Sequence, residues 1–212
     1  MTKSTIPKMC YLCGTTKDLT HDHVPPRCIF DEDDRSKLIK VPACKSCNGK
    51  RSKDDEYFRD YITAWGLPTS AARRIYETTL KRSWQYRPKH KRAMAANTGR
   101  AHIVTQSGLW LGNAPALKAE ARRISTVVDC TSRGLHYYHY HEPVPISANL
   151  DVWYDPPLSE ELKLLWRLTV VKKLVPGTFE YRFSRDSGDN CDLFVWFLLF
   201  FQKICFVVLY EC

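Results

Sequence analysis

Cys10-Tyr-Leu-Cys13-Gly14 and Cys44-Lys-Ser-Cys47 are two Cys-x-x-Cys knuckles with thirty residues between them, and no other feature restricts the possible fold so strongly. Each knuckle offers two thiolates at the bite that tetrahedral zinc requires, and two knuckles complete its coordination. A redox Cys-x-x-Cys occurs once and sits in a βαβ setting, which this segment lacks. Zinc is therefore expected on Cys10, Cys13, Cys44 and Cys47 as a closed structural site, with no position open to water. The total of nine Cys is odd, and Met1-Thr-Lys-Ser-Thr-Ile-Pro7 lacks the apolar core of a secretory signal. Reduced thiols and a cytoplasmic location are the expectation.

Hydrophobic residues make up 44% of the 212 and aromatics 12%, enough for a buried core and too apolar for a disordered chain. The net charge of +9 favours a polyanionic partner. That charge is concentrated: residues 71–140 hold 13 basic and 3 acidic side chains, whereas residues 141–212 hold 7 and 10. Within the basic region, Arg87, Lys89, Lys91 and Arg92 are candidate phosphate contacts, which set affinity and salt sensitivity without reading sequence. The apolar run Leu193–Phe201 continues as Ile204–Tyr210, but Gln202 and Lys203 divide it. Both pieces are too short to span a bilayer as helices and suit two buried strands, so no membrane partner is expected.

Ser52-Lys-Asp-Asp55 followed by Tyr57, Phe58, Tyr61, Ile62 and Trp65 reads as a capped helix ending at Gly66 and Pro68. A second helix is expected over 70–86 with a break at Pro88, and a third over 117–130. A fourth starts at Ser159 and stops at Pro176-Gly177, with Lys172 and Lys173 at its end. Strands are expected at 179–183, 191–201 and 203–210, the first two joined by a turn at 186–190. The fold class is α+β, divided into a zinc-pinned module (1–66), a basic helical segment (67–130) and a C-terminal α+β region (131–212) with an antiparallel sheet.

Between the knuckles stands Leu19-Thr-His-Asp-His-Val-Pro-Pro26, and directly after the second comes Asn48-Gly-Lys-Arg-Ser-Lys53. Asp22-His23, Pro25 and Cys47-Asn48-x-Lys50 resemble, in order and spacing, the HNH endonuclease family, specifically its ββα-metal subset with two Cys-x-x-Cys knuckles. The likeness is specific over residues 10–62; Asp55-Glu-Tyr-Phe-Arg59 and Arg133-Gly-Leu-His-Tyr-Tyr138 are more loosely similar to a group of bacterial HNH proteins. The resemblance implies hydrolysis of DNA to 5′-phosphate and 3′-hydroxyl ends, with His23 as general base and Asp22 and Asn48 as ligands of a catalytic Mg²⁺ or Mn²⁺. Duplex DNA is the implied substrate, with RNA admissible and a protein partner for the C-terminal region also admissible; the oligomeric state is not encoded in any motif. Around the site, Arg27, Lys50, Arg51 and Lys53 are further candidate phosphate contacts.

Each role agrees with the chemistry of the residue. Imidazole titrates near neutral pH and accepts a proton from water, and carboxylate and amide oxygens are hard donors for Mg²⁺. Because adjacent strand residues point to opposite faces, Asp22 and His23 serve one phosphate only if the backbone bends, with Pro25-Pro26 closing the bend. Two positions depart from the family pattern: Ile39 stands where many members carry an orienting Asn, and Ser52 where some carry a third ligand, His. The alternative reading is a noncatalytic zinc module that binds nucleic acid or protein. His136, His139 and His141 fit packing among their Tyr neighbours better than a metal site, and Cys28, Cys130, Cys191, Cys205 and Cys212 are expected as small buried residues.

Overall fold

The computed structural model describes residues 8–105, 107–148, 150–156, 159–187 and 191–211. Strand β1 (Leu19–Val24) pairs antiparallel with β2 (Ile39–Cys44), and two 3-10 turns, Arg27–Ile29 and Glu32–Lys37, fill the connection. Cys44 then caps the short helix α1 (Lys45–Lys50), its sulfur accepting the Cys47 N–H at 3.4 Å. Helix α2 (Ser52–Gly66) follows, with acidic Asp54 and Asp55 in its first turn, where they oppose the helix dipole. These acids also bind across the fold: Asp54 accepts from Arg123 at 2.6 Å, and Glu56 pairs with Arg87.

The expected helix over 70–86 is present in three joined pieces, α3 (Ser70–Ile75), a π turn over Tyr76–Leu80 and α4 (Lys81–Tyr86). Pro88 breaks it and then serves as the first residue of α5 (Pro88–Ala96), a position where its missing N–H costs nothing. An unexpected hairpin, β3 (Thr98–Val104) with β4 (Trp110–Leu117), projects from this region. The helix expected over 117–130 is displaced and lengthened into α6 (Ala121–Tyr140), closed by His141 in the left-handed region at φ 61°. Its final ten residues are buried, half-buried or aromatic, which is why a pattern search that stops at Cys130 truncates it. The division expected at residue 130 therefore falls inside one helix. The core is also continuous, running from Cys10 and Tyr11 through Val127 to Phe206 and Tyr210.

The C-terminal sheet has the order β5-β9-β8-β7-β6 and is antiparallel throughout: β5 (Asp151–Tyr154), β6 (Val170–Val175), β7 (Phe179–Ser187), β8 (Asp192–Phe200) and β9 (Ile204–Glu211). Phe194, Trp196, Leu198 and Phe200 face the main core, while Val195 and Phe197 pack beneath helix α7 (Glu160–Leu168) through Leu162, Leu165 and Trp166. Burial on both faces explains why β8 reads as an unbroken apolar run. Among the described residues no helix is long and apolar enough to cross a membrane.

The helix expected to reach Lys173 ends instead at Leu168. Val170-Val-Lys-Lys-Leu-Val175 forms a strand, because its β-branched residues gain a ladder with β7, and Pro176-Gly177 becomes the hairpin turn. Most of the turn expected at 186–190 lies outside the described residues.

Helix α6 touches both the first hairpin and the C-terminal sheet, and Gly134 permits the close approach. A Cβ built there would meet Val24 Cγ2 at 2.5 Å and Tyr11 Cε2 at 3.4 Å. Gly134→Ala gains about 1 kcal/mol of helix propensity but overpacks this contact by about 1–3 kcal/mol, and buried, β-branched Val24 has little room to yield. The expected outcome is a lower urea midpoint with an unchanged m value, measured by circular dichroism.

Candidate metal centre and adjoining hairpin face

The ligand atoms of Cys10, Cys13, Cys44 and Cys47 all lie within 4.8 Å of one another, and they form the only such cluster of three or more metal-ligating side chains among the described residues. Cys13 Sγ and Cys44 Sγ are 3.8 Å apart, too far for a disulfide. A tetrahedron with zinc–sulfur bonds of about 2.3 Å has sulfur–sulfur edges of about 3.8 Å. The four cysteines can thus bind a metal ion such as zinc. Backbone geometry prepares them: Gly14 takes φ 74° after the first knuckle, and its N–H returns to Cys10 O at 2.8 Å. The Cys47 N–H donated to Cys44 Sγ, with thiol hydrogen bonds from its neighbours, lowers the Cys44 pKa to about 7, while burial and the neighbouring thiols push Cys47 up, so the proton is shared unequally within the metal-free cluster.

The tetrad fastens the start of α1 beside β1, and this delivers Asn48. Its amide nitrogen donates to Thr20 Oγ1 and to His21 O, each at 3.3 Å. Thr20 and Asp22 alternate onto the same face of β1, so Asn48 and Asp22 share that side. Here the structure adds a partner that sequence reasoning missed in this role. Asp22 is 7% exposed and its Oδ2 accepts from both Arg51 and Tyr11, the latter at 2.8 Å. Arg51 also donates to Tyr11 Oη at 2.9 Å. Expected to face phosphate, Arg51 is itself only 7% exposed and committed to this buried pair. A carboxylate immersed among apolar residues must be neutralised, and the guanidinium three residues beyond Asn48 is within reach to do so. Asp55 completes the cluster; burial raises its pKa to about 6.

His23 lies on the opposite face. β1 pairs with β2 without a bulge from Leu19 to Val24, so the bend expected at Asp22-His23 is absent and the chain turns only at Pro25. His21 and His23 point outward together, and His23 stands directly across from Lys40. Burial, then the charges of Lys40 and Arg27, lower the His23 pKa, which keeps the imidazole neutral near pH 7. Arg27, Lys50 and Lys53 are exposed around this hairpin, as are Lys89, Lys91 and Arg92 on α5. Arg87 is exposed too, but is paired with Glu56. Ile39 is a buried partner of Val24, and Ser52 Oγ donates to Gly49 O at 3.4 Å.

His136 and His139 follow the packing reading, whereas His141, exposed at the end of α6, does not. His136 is 1% exposed, hydrogen-bonded through Nδ1 to Tyr210 Oη at 2.7 Å, and burial lowers its pKa to about 4. His139 Nε2 meets Tyr181 Oη at 2.9 Å. Cys130 is buried and Cys28 and Cys205 half-buried, but Cys191 is exposed, contrary to expectation, because it precedes β8 outside the core; Cys212 lies outside the described residues. Compared with family models, curated proteins and solved structures, the chain matches none of them.

The oxygen donors of Asp22 and Asn48 fit a hard divalent ion in type, and Asp22 Oδ2 is already paired with the Arg51 guanidinium. The pair also has a structural role that can be measured. Asp22→Asn keeps an acceptor but removes the charge facing Arg51, and a hydrogen bond to a charged group contributes about 1.5–3 kcal/mol. A loss of that size in urea unfolding is expected, so the residual activity of Asp22 variants has to be read against their stability.

Proposed function

We propose that residues 10–62 are the catalytic module of a metal-dependent, HNH-type endonuclease acting on DNA, built around a structural zinc ion on Cys10, Cys13, Cys44 and Cys47. The observation that carries this reading is the return of Asn48 to β1 at Thr20 and His21, which sets the amide on the same face of the hairpin as the Asp22 carboxylate, next in the chain to the His23 imidazole on the other face. A single Mg²⁺ or Mn²⁺ held by Asp22 and Asn48 would supply Lewis acidity at the scissile phosphate. His23, neutral at physiological pH, would take the proton from the attacking water at an imidazole nitrogen, which requires β1 to bend at Asp22-His23 when substrate binds so that both residues reach one phosphate. Arg27 and Lys40 lie close enough to His23 to affect its titration, and their charge attracts a phosphodiester to the same face.

A second reading, a zinc module that binds nucleic acid without cutting it, is favoured by the ion pair of Asp22 with Arg51 and by the straight course of β1, which separates Asp22 from His23. Incubating the pure protein with supercoiled and linear DNA in Mg²⁺, in Mn²⁺ and in EDTA separates the two. Nicked or linear product that appears with either ion and disappears in EDTA is the result expected of the nuclease. DNA retention without product in any condition assigns the binding module.

A further inference from the structure

A cleft of about 690 Å³ opens where β2, the end of α6 and β6 meet, and it belongs neither to the cysteine tetrad nor to the Asp22 cluster. Lys37, Lys40, Lys172 and Lys173 line it together with Tyr138 and His141, and no carboxylate is among its lining residues. Two acids are close: Asp34 pairs with Lys37 at 2.7 Å, and Glu180 is the cross-strand neighbour of Lys173. Lys40, Lys172 and Lys173 are all exposed. The surrounding region does not explain this concentration, since residues 141–212 carry more acids than bases. Lysines brought from two separate strands into one concavity repel one another, and an anion that bridges them relieves the repulsion.

The cleft also adjoins the hairpin face of the proposed site. Lys40 lines the cleft and is the direct cross-strand partner of His23, so both side chains leave the same face of the hairpin. Tyr138, 46% exposed at the rim, presents an aromatic face of the kind on which an unpaired base stacks.

We infer that this cleft is the track of a nucleic-acid backbone: phosphates seat on Lys40 and on Lys172, which leaves β6 on the same side as the cleft-lining Tyr181, and the strand they belong to passes over His23. The role gives the C-terminal sheet a share in substrate binding and moves the principal contacts away from Arg87, Lys89, Lys91 and Arg92. It deepens the nuclease reading and rests on its nucleic-acid substrate, though not on its chemistry.

The test uses full-length protein in EDTA, with a short fluorescent DNA duplex and the matching single strand as probes, and reads anisotropy across a salt series. In the triple variant Lys40→Gln, Lys172→Gln, Lys173→Gln, the slope of log K against log salt should flatten by about 0.9 per lost duplex contact, about 1.8 in all, since Lys173 leaves the other face of β6 beside Glu180. The corresponding Lys→Arg triple should retain the wild-type slope, and zinc content and melting temperature should be unchanged in both. Tyr138→Ala should weaken single-strand binding more than duplex binding. A wild-type slope in the Gln triple, with loss instead on neutralising Arg87, Lys89, Lys91 and Arg92, overturns the cleft and leaves the nucleic-acid reading standing. Absence of binding to either probe by the wild-type protein overturns both. Salt-sensitive binding through the cleft, without cleavage in Mg²⁺ or Mn²⁺, supports the track and removes the nuclease.

Discussion

Cys44→Ser is expected to abolish the native protein, leaving it insoluble or unfolded, whereas the wild type carries one zinc per chain by elemental analysis. The size of the effect follows from what the tetrad does. Structural zinc contributes apparent binding free energies of about 10–16 kcal/mol at pH 7, comparable with the whole stability of a domain, about 5–15 kcal/mol. Cys44 is also a hinge of the local structure, because it ends β2, caps α1 and accepts the Cys47 N–H. The tetrad ties the first knuckle to the end of a β1–β2 hairpin that packs against Gly134 of α6 and belongs to the same core as the C-terminal sheet. Unfolding should therefore spread through the chain. Acidification is expected to act in the same direction, since protons compete with the metal for the four thiolates. A soluble, cooperatively folding, zinc-free Cys44→Ser protein would refute the assignment.

The cysteine tetrad was legible in the sequence because its constraint is covalent spacing, which survives any error in the surrounding secondary structure. The strands β8 and β9 were legible for a related reason: only burial on both faces tolerates such runs, and Gln202-Lys203 marked the turn between them. The edge of the sheet was not. Lys172 and Lys173 looked like the basic end of a helix, but Val170, Val171 and Val175 follow strand propensity once β7 is available to pair, and that partner is known only from the fold. β3 was missed because all of its residues are exposed, and β4 because none of its residues is buried and its Gly, Asn and Pro read as turn formers.

For the candidate residues Asp22, His23 and Asn48, the sequence shows their order and spacing but not their relative geometry. Sequence adjacency suggested that Asp22 and His23 act together, whereas the regular ladder of β1 sends them to opposite faces. Arg51 looked like one more surface cation in a basic run. Its burial depends on Tyr11 and Asp22, respectively 40 and 29 residues away along the chain, and no local pattern records contacts at such separations. The signal that could have raised the question is electrostatic: a lone Asp on an apolar strand face requires a partner, and Arg51 stands three residues after the Asn that reaches that strand.

His23→Ala is the substitution with the largest expected effect on activity. Removing a general base lowers the rate by roughly 10²- to 10⁴-fold, and here the fold should not respond, because the ring lies on the outward face beside Lys40 and outside the Tyr11–Asp22–Arg51 cluster. Duplex affinity in EDTA should also remain at the wild-type value, since phosphate contacts come from the lysines and arginines around the imidazole. This separates His23 from its neighbours. Asp22→Asn is expected to lose both stability and activity, and Asn48→Ala gives up two hydrogen bonds to β1 along with the amide donor for the ion. Loss of cleavage in those two variants admits a structural cause; loss in His23→Ala with intact melting temperature, zinc content and affinity does not. If His23→Ala cleaves at the wild-type rate, proton transfer from water does not pass through this imidazole. If Asp22→Asn and Asn48→Ala are equally harmless, the cleavage comes from a contaminating nuclease, and the straight β1 strand and the buried Asp22–Arg51 pair are the native arrangement of a module that binds nucleic acid and leaves its backbone whole.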